Sequence, residues 1–131
     1  MFVKPFRYER AESLTAAADA LRGSGGGAKV IAGGQSLLPM MNFGLLELEA
    51  VIDVSHIADA RGVSEENGYL RIGALTRHRE VLADPLVRAH QPLLAAAASN
   101  VGSSRIRARG TPRSARADRT RGADRSRAQP A

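Results

Sequence analysis

A mixed fold of short strands and short helices is predicted for this chain by three observations. Short strand-type apolar runs alternate with helix-type segments through the first half, and an Asn-Gly hairpin signal near the middle is followed by Pro- or Asp-initiated, Ala-rich helical segments. The length of 131 residues then bounds the architecture: one domain, or two small lobes around a shared site.

Each element follows from local chemistry. Residues 13–22 read as a short helix, because Ser13 can cap the first turn, the Ala-rich interior favours helix, and Leu14, Ala17, Ala18 and Leu21 follow the helical period. Gly23 to Gly27 stop it. Lys29 to Ala32 is a strand-type run ending at Gly33-Gly34. Leu37 to Phe43 is apolar but interrupted by Pro39, which suits a first helical turn or a tight irregular segment better than a strand. Of these residues, Leu37, Leu38, Met40 and Met41 are expected in the core or against another lobe.

Ala50 to Val54 reads as a second, largely buried strand, and Ser55 to Ala60 as a loop or single helical turn. Two strand-type segments between Gly62 and Gly73 flank Asn67-Gly68, a pair that accepts the positive φ angles of a tight hairpin turn. Thr76 is placed to cap a helix running to Val81 or Leu82. Asp84-Pro85 opens another, and Gln91 to Asn100 is a further Ala-rich helix closed by Gly102. His78 and His90 fall in helices among charged neighbours and are expected at the surface.

The net charge of +6 is misleading until it is located. Residues 1–102 hold 10 Lys and Arg against 11 Asp and Glu, whereas residues 103–131 hold 9 Arg against 2 Asp. The body is nearly neutral and the last segment supplies the basicity. With no Cys, disulfides, thiol nucleophiles and Cys-ligated zinc or iron–sulfur sites are excluded from this chain. His56, His78 and His90 lack any metal-binding spacing. No apolar run is long enough to span a bilayer and no export leader is recognisable, so a cytoplasmic protein without membrane contact is expected.

The chemistry concentrates in Lys29-Val30-Ile31-Ala32-Gly33-Gly34-Gln35-Ser36-Leu37. A strand ending in Gly-Gly, then small polar residues and a helical turn, is a geometry that can hold a diphosphate through converging backbone N–H groups. Gln35 and Ser36 could add side-chain hydrogen bonds. A plain turn fits the same residues. Ser36, His56 and Asp53 supply the residue types of a hydrolase triad, but no nucleophile-elbow pattern surrounds Ser36.

Three further stretches flank that turn in order: Phe6-x-Tyr8-x-Arg10-Ala11-x-Ser13-Leu14 before it, and Val51-Ile52-Asp53-Val54 and Leu70-Arg71-Ile72-Gly73-Ala74-Leu75-Thr76-Arg77-His78 after it. With Ala32 to Asn42 they resemble the FAD-binding medium subunit of the molybdenum hydroxylases, the subunit family of aerobic carbon monoxide dehydrogenase and bacterial xanthine dehydrogenase-like enzymes. The likeness runs from about Phe2 to Thr111. It implies an α+β fold, the two-lobed, vanillyl-alcohol-oxidase-type (PCMH-type) FAD-binding domain, with a small lobe over about residues 1–55 and the start of a larger lobe over about 56–111. FAD is the implied cofactor, and Val30, Ile31, Ala32, Gly33, Gly34, Gln35, Ser36 and Leu37 the implied first contact segment.

The resemblance also implies that Thr76 lies where backbone approaches the flavin, and that Gly110 and Thr111 open a second FAD loop. No catalytic acid or base and no metal ligand is implied. The implied partners are a molybdenum-cofactor large subunit and an iron–sulfur small subunit, with electrons passing from iron–sulfur clusters through FAD to an acceptor.

The likeness stops at Arg107-Ala108-Arg109-Gly110-Thr111, where Pro112-Arg113-Ser114 replaces the family's Ile-Gly-Gly. Residues 112–131 contain 6 Arg, 5 Ala, 2 Pro and 1 Gly and no large apolar side chain, so they are expected to be disordered. A shift of reading frame near codon 112 accounts for that composition, and the rival expectation is a truncated, inactive fragment whose basic segment holds anionic polymers nonspecifically. Selected nucleic-acid binding is not expected, since Lys and aromatic side chains are missing from it.

Overall fold

The structure, a computed structural model, describes residues 3–112; the expectations of disorder and of a frame shift concern residues that, apart from Pro112, lie outside them. The elements run β1 (Arg7–Arg10), α1 (Leu14–Gly23), β2 (Ala28–Ile31), α2 (Leu37–Asn42), β3 (Ala50–Asp53), a 3₁₀ turn (Ala58–Ala60), β4 (Val63–Glu66), β5 (Tyr69–Ile72), α3 (His78–Ala83), α4 (Pro85–His90), α5 (Pro92–Ser99) and α6 (Ser104–Arg109).

The first three strands form a parallel sheet in the order β1-β3-β2, with Tyr8 and Lys29 both in register with Val51. The central strand is covered on both faces, which is why it reads as an unbroken apolar run. Ala50, Ile52 and Val54 pack with Ala11, Ala17 and Ala28, while Val51 packs with Met41 and Leu48. Small alanines let α1 lie close to the sheet. Its cap is as expected, Ser13 Oγ accepting from Ala16 N at 3.0 Å. The expected stripe is narrower, however: Ala17 is buried, whereas Leu14 and Leu21 are exposed, because Ala11 and Ala20 supply the remaining contacts.

Pro39 falls in the first turn of α2, where a missing N–H has no intrahelical partner to lose. Of Leu37, Leu38, Met40 and Met41, expected in the core or against another lobe, only part reach this core. Met41 is buried and Leu37 half-buried, but Leu38 and Met40 are exposed, since one turn and a half of helix can offer the sheet only one face.

The hairpin forms as the Asn-Gly pair requires. Asn67 (φ 52°) and Gly68 (φ 77°) are both left-handed, and Glu66 pairs with Tyr69 in an antiparallel ladder. Val63, Leu70 and Ile72 from this hairpin pack on a second core of Val81, Val87, Ala95 and Ala98 from α3, α4 and α5. Asp84 caps α4 by accepting from Leu86 N at 2.9 Å and Val87 N at 3.2 Å.

Thr76 does not cap α3. The helix begins at His78, and the Arg77 backbone N–H donates to the Glu80 carboxylate at 2.8 Å. The buried Thr76 hydroxyl instead accepts from Gly62 N at 2.9 Å and donates to Gly62 O at 3.1 Å. That bridge ties the hairpin's base to the strand-to-helix link. Two elements, β1 and α6, were not anticipated from the residues.

Candidate functional site

The Gly33-Gly34 turn leaves β2 at the same sheet edge from which Val54 leaves β3, Val54 N donating to Ile31 O at 3.0 Å. Gly34 takes φ +76°, and a Cβ there would also reach to 3.0 Å from Leu38 Cδ1. Gly33 is constrained differently. A Cβ on it would lie 2.0 Å from the Arg109 carbonyl oxygen and 3.3 Å from Gly110 Cα, so only glycine admits the segment that ends α6.

That segment is locked in place. Ser103 Oγ accepts from Ile106 N at 3.4 Å at the start of α6, and Gly110 N donates to Ile106 O at 2.7 Å at its end. His78 N then donates to Gly110 O at 2.9 Å, and the His78 ring lies against Gly110, 3.0 Å from where a Cβ would stand. His78 is therefore buried, contrary to its expected surface position, because α6 covers the face that its charged neighbours suggested was open. His90 is exposed as expected, 3.6 Å from Glu65.

These contacts enclose a cleft of about 130 Å³. Ala32 and Gly33 form one side, Ser55 the floor of the β3 exit, Leu75 and Arg77 the approach to α3, and Arg109 and Thr111 the far side. Two properties suit it to an anion. Among the described residues no acceptor is engaged by the backbone N–H groups of Gly33, Gly34, Gln35 or Ser36; a run of free amides at a turn can cradle negative charge, and of these four residues Gly33 lines the cleft. Thr111 is 3 % exposed and its Oγ1 is buried without a hydrogen-bond partner, a costly arrangement unless a ligand completes it. Arg77 and Arg109 add two positive charges to a lining that contains no carboxylate.

Of the residues expected to bind cofactor, the structure brings Ala32, Gly33 and Thr111 to the cleft, with Gly110 packed behind Gly33. Val30 and Ile31 belong to β2, pairing with Ile52 and Asp53. Gln35, Ser36 and Leu37 lead into α2, and the Ser36 side chain makes no capping bond. Thr76 sits between the lining residues Leu75 and Arg77, its hydroxyl occupied by Gly62. Ser55, Leu75, Arg77 and Arg109 were missed; Leu75, Arg77 and Arg109 stood within quoted motifs, but nothing in the sequence told that the strand-to-helix link and the end of α6 meet at one cleft.

No triad is assembled. The Asp53 carboxylate accepts from the Tyr8 hydroxyl and from Ser55 N at 2.8 Å, and His56 Nε2 is buried without a partner. Among the described residues no group of three His, Asp or Glu side chains could hold a metal ion, and no helix is long and apolar enough to cross a membrane.

Two titrating groups brace the cleft's α3 side. Burial favours a raised pKa for Glu80, but hydrogen bonds from Arg61 and from the Arg77 backbone N–H, with the charges of both arginines, hold its carboxyl below the usual value of 4.5. Burial pushes His78 below its usual 6.5. Both shifts mean that the unfolded chain binds more protons, so stability falls with acidification. His78 acts first, as pH drops from 6.5 toward its folded value; Glu80 follows below 4.5. A urea midpoint that falls between about pH 7.5 and about pH 5.5, with the fall reduced in His78→Gln, is the expected result. A flat profile in the wild-type chain would contradict it.

Similarity to known proteins bears on the family and the fold. A family model described as the FAD binding domain in molybdopterin dehydrogenase matches residues 4–112. The carbon monoxide dehydrogenase medium chain of Hydrogenophaga pseudoflava is 40% identical over 106 residues, covering 81% of this chain and 37% of that one. The 6-hydroxypseudooxynicotine dehydrogenase complex subunit alpha of Paenarthrobacter nicotinovorans is 34% identical over 106 residues, covering 81% and 36%. A solved carbon monoxide dehydrogenase from Hydrogenophaga pseudoflava superposes with a TM-score of 0.84 at 38% identity, covering 86% of this chain and 39% of that chain. The chain thus spans under two-fifths of the length of each of these relatives.

Proposed function

The chain belongs to the family of FAD-binding domains in molybdopterin dehydrogenases, and on that premise we propose that it is the cofactor-holding part of an oxidoreductase subunit that passes electrons from iron–sulfur clusters through FAD to an acceptor. One observation supports this most directly: the Ala32-Gly33 end of the glycine turn, the residue Thr111 with its unpartnered hydroxyl, and two arginines line one small cleft. When bound, FAD supplies the redox chemistry. The chain's own residues position it. The 32–36 turn and Thr111 take the diphosphate, and Leu75 and the backbone at Thr76 lie on the same wall.

The partners in this reading are a molybdenum-cofactor large subunit and an iron–sulfur small subunit, with a cytoplasmic location. The lobe division at about residue 55 belongs to the same proposal: the sheet forms the small lobe, and the hairpin with α3 to α6 begins the larger. Ile57, Ala60 and Leu75 nevertheless pack into the core beneath the sheet, so the junction is a packed seam.

The cleft volume of about 130 Å³ is well below the ~300–1,000 Å³ of ordinary ligand pockets. It is sized for the diphosphate end of a dinucleotide. This chain should therefore bind FAD reversibly, with a dissociation constant above ~1 µM, equivalent to less than ~8 kcal/mol. Titration followed by flavin fluorescence measures this. Absence of saturable FAD binding would defeat the reading, and tight stoichiometric retention would show that a single wall suffices.

A further inference from the structure

We propose that Asn67 is a site of spontaneous intramolecular modification, at which the Gly68 backbone nitrogen attacks the Asn67 side-chain amide and converts the residue to aspartate or isoaspartate. This stands apart from the FAD reading. The chain has asparagines at positions 42, 67 and 100, and all three are exposed. What differs is the nitrogen that follows each one. Phe43 N donates to Pro39 O at 2.9 Å and Val101 N to Ala98 O at 3.4 Å, so both are engaged, and both belong to bulky residues. The Asn100 side chain is also held, its Nδ2 donating to Ala96 O at 3.1 Å. Gly68 has no side chain, and among the described residues neither its N–H nor the Asn67 side chain makes a hydrogen bond.

The chemistry needs only water. Removal of the Gly68 N–H proton, favoured as pH rises, leaves a nitrogen lone pair that bonds to Asn67 Cγ; the Cγ–Nδ2 bond then breaks and ammonia leaves, taking up a proton from solvent. Water opens the resulting five-membered imide. Cleavage of the new Cγ–N bond gives aspartate, whereas cleavage of the original bond between the Asn67 carbonyl carbon and Gly68 N gives isoaspartate, with the main chain rerouted through Cβ. Ring closure requires the turn to leave its φ values of 52° and 77° for a moment. Only the tip of a two-stranded ladder has to open, beyond its last pair Glu66 and Tyr69, and segments of this kind open at the low end of a protein's stability range. An isoaspartate adds one backbone atom to a two-residue turn, so Glu66 and Tyr69 no longer meet in register. The hairpin's base is held separately by the hydrogen bonds between Gly62 and Thr76, which confines the change to the tip and to the packing of Leu70 on the second core.

The test incubates the full chain at mildly alkaline pH and maps its peptides by mass spectrometry. Residue 67 should gain the mass of an NH2-to-OH exchange, with isoaspartate among the products, at least about tenfold faster than residues 42 and 100, a ratio that one retained hydrogen bond and crowding at the nucleophile together supply. The isoaspartate form should melt at a lower temperature than the fresh chain. Asn67→Gly keeps a pair that accepts two positive φ angles, and should show neither the mass gain at this position nor the loss of melting temperature. Conversion at residue 67 no faster than at 42 and 100, or conversion in urea but not in the folded chain, overturns the proposal. Aspartate without isoaspartate overturns the cyclic route. An Asn67→Gly chain whose melting temperature falls as far as the wild type's on incubation overturns the structural consequence. Should Asn67→Gly fail to fold, the wild-type peptide map decides by itself.

Discussion

Gly33→Val will abolish flavin binding and lower the melting temperature together. A Cβ at this position meets the Arg109 carbonyl at 2.0 Å and Gly110 Cα at 3.3 Å; both are backbone atoms and cannot rotate away. The 109–111 segment must therefore shift, breaking the His78 N to Gly110 O bond and withdrawing Thr111 from the cleft. Overpacking of this kind costs about 1–3 kcal/mol. Gly34→Val is the control. Its nearest obstacle is the end of the Leu38 side chain, which is exposed and can move, so the main cost is the positive φ, about 1–2 kcal/mol. Flavin content and thermal melts measured on both variants should rank Gly33→Val as the worse. Wild-type flavin content in Gly33→Val would show that the interlock of the two segments is not what forms the site.

The glycines illustrate what the residues alone could and could not tell. Gly33-Gly34 does form a turn, yet close approach of a ligand is not needed to explain it: Gly33 is already required by the protein's own chain. That requirement is invisible in sequence because the partner lies 76 positions away, at Arg109. Elements with local causes were legible, among them the Ser13 and Asp84 caps, the Asn67-Gly68 turn and the apolar β3. β1 was not, since Arg7 to Arg10 are all exposed and carry no alternation; its pairing with β3 defines it. Helix α6 was hidden in the same way, having only Ile106 as an apolar residue of any size and no fully buried residue. Missing α6 also put His78 on the surface, and left Arg109 as a motif letter instead of a lining residue. The site was thus readable where a turn's own residues dictate it, and unreadable where a distant segment closes it.

Ile52→Ala should have the largest effect on folding while leaving the ligand binding of the folded molecule unchanged. Ile52 is 1% exposed in the central strand, in register with Glu9 on one side and Val30 on the other, and packed among the alanines beneath α1. Those neighbours are short and held by the sheet, so they can collapse only slightly into the space left. A buried Ile→Ala change of this type costs about 2–5 kcal/mol, a large part of the ~5–15 kcal/mol that separates a small domain from its unfolded state. The denaturant midpoint should fall accordingly. None of the lost atoms lines the cleft, so below the transition the folded molecule should bind FAD as the wild type does, with any loss of apparent affinity explained by the unfolded fraction. Measuring both quantities separates scaffold from site. If Ile52→Ala weakened FAD binding in fully folded protein, the sheet and the cleft would be coupled through more than stability, by way of the strand that carries Ser55 to its place.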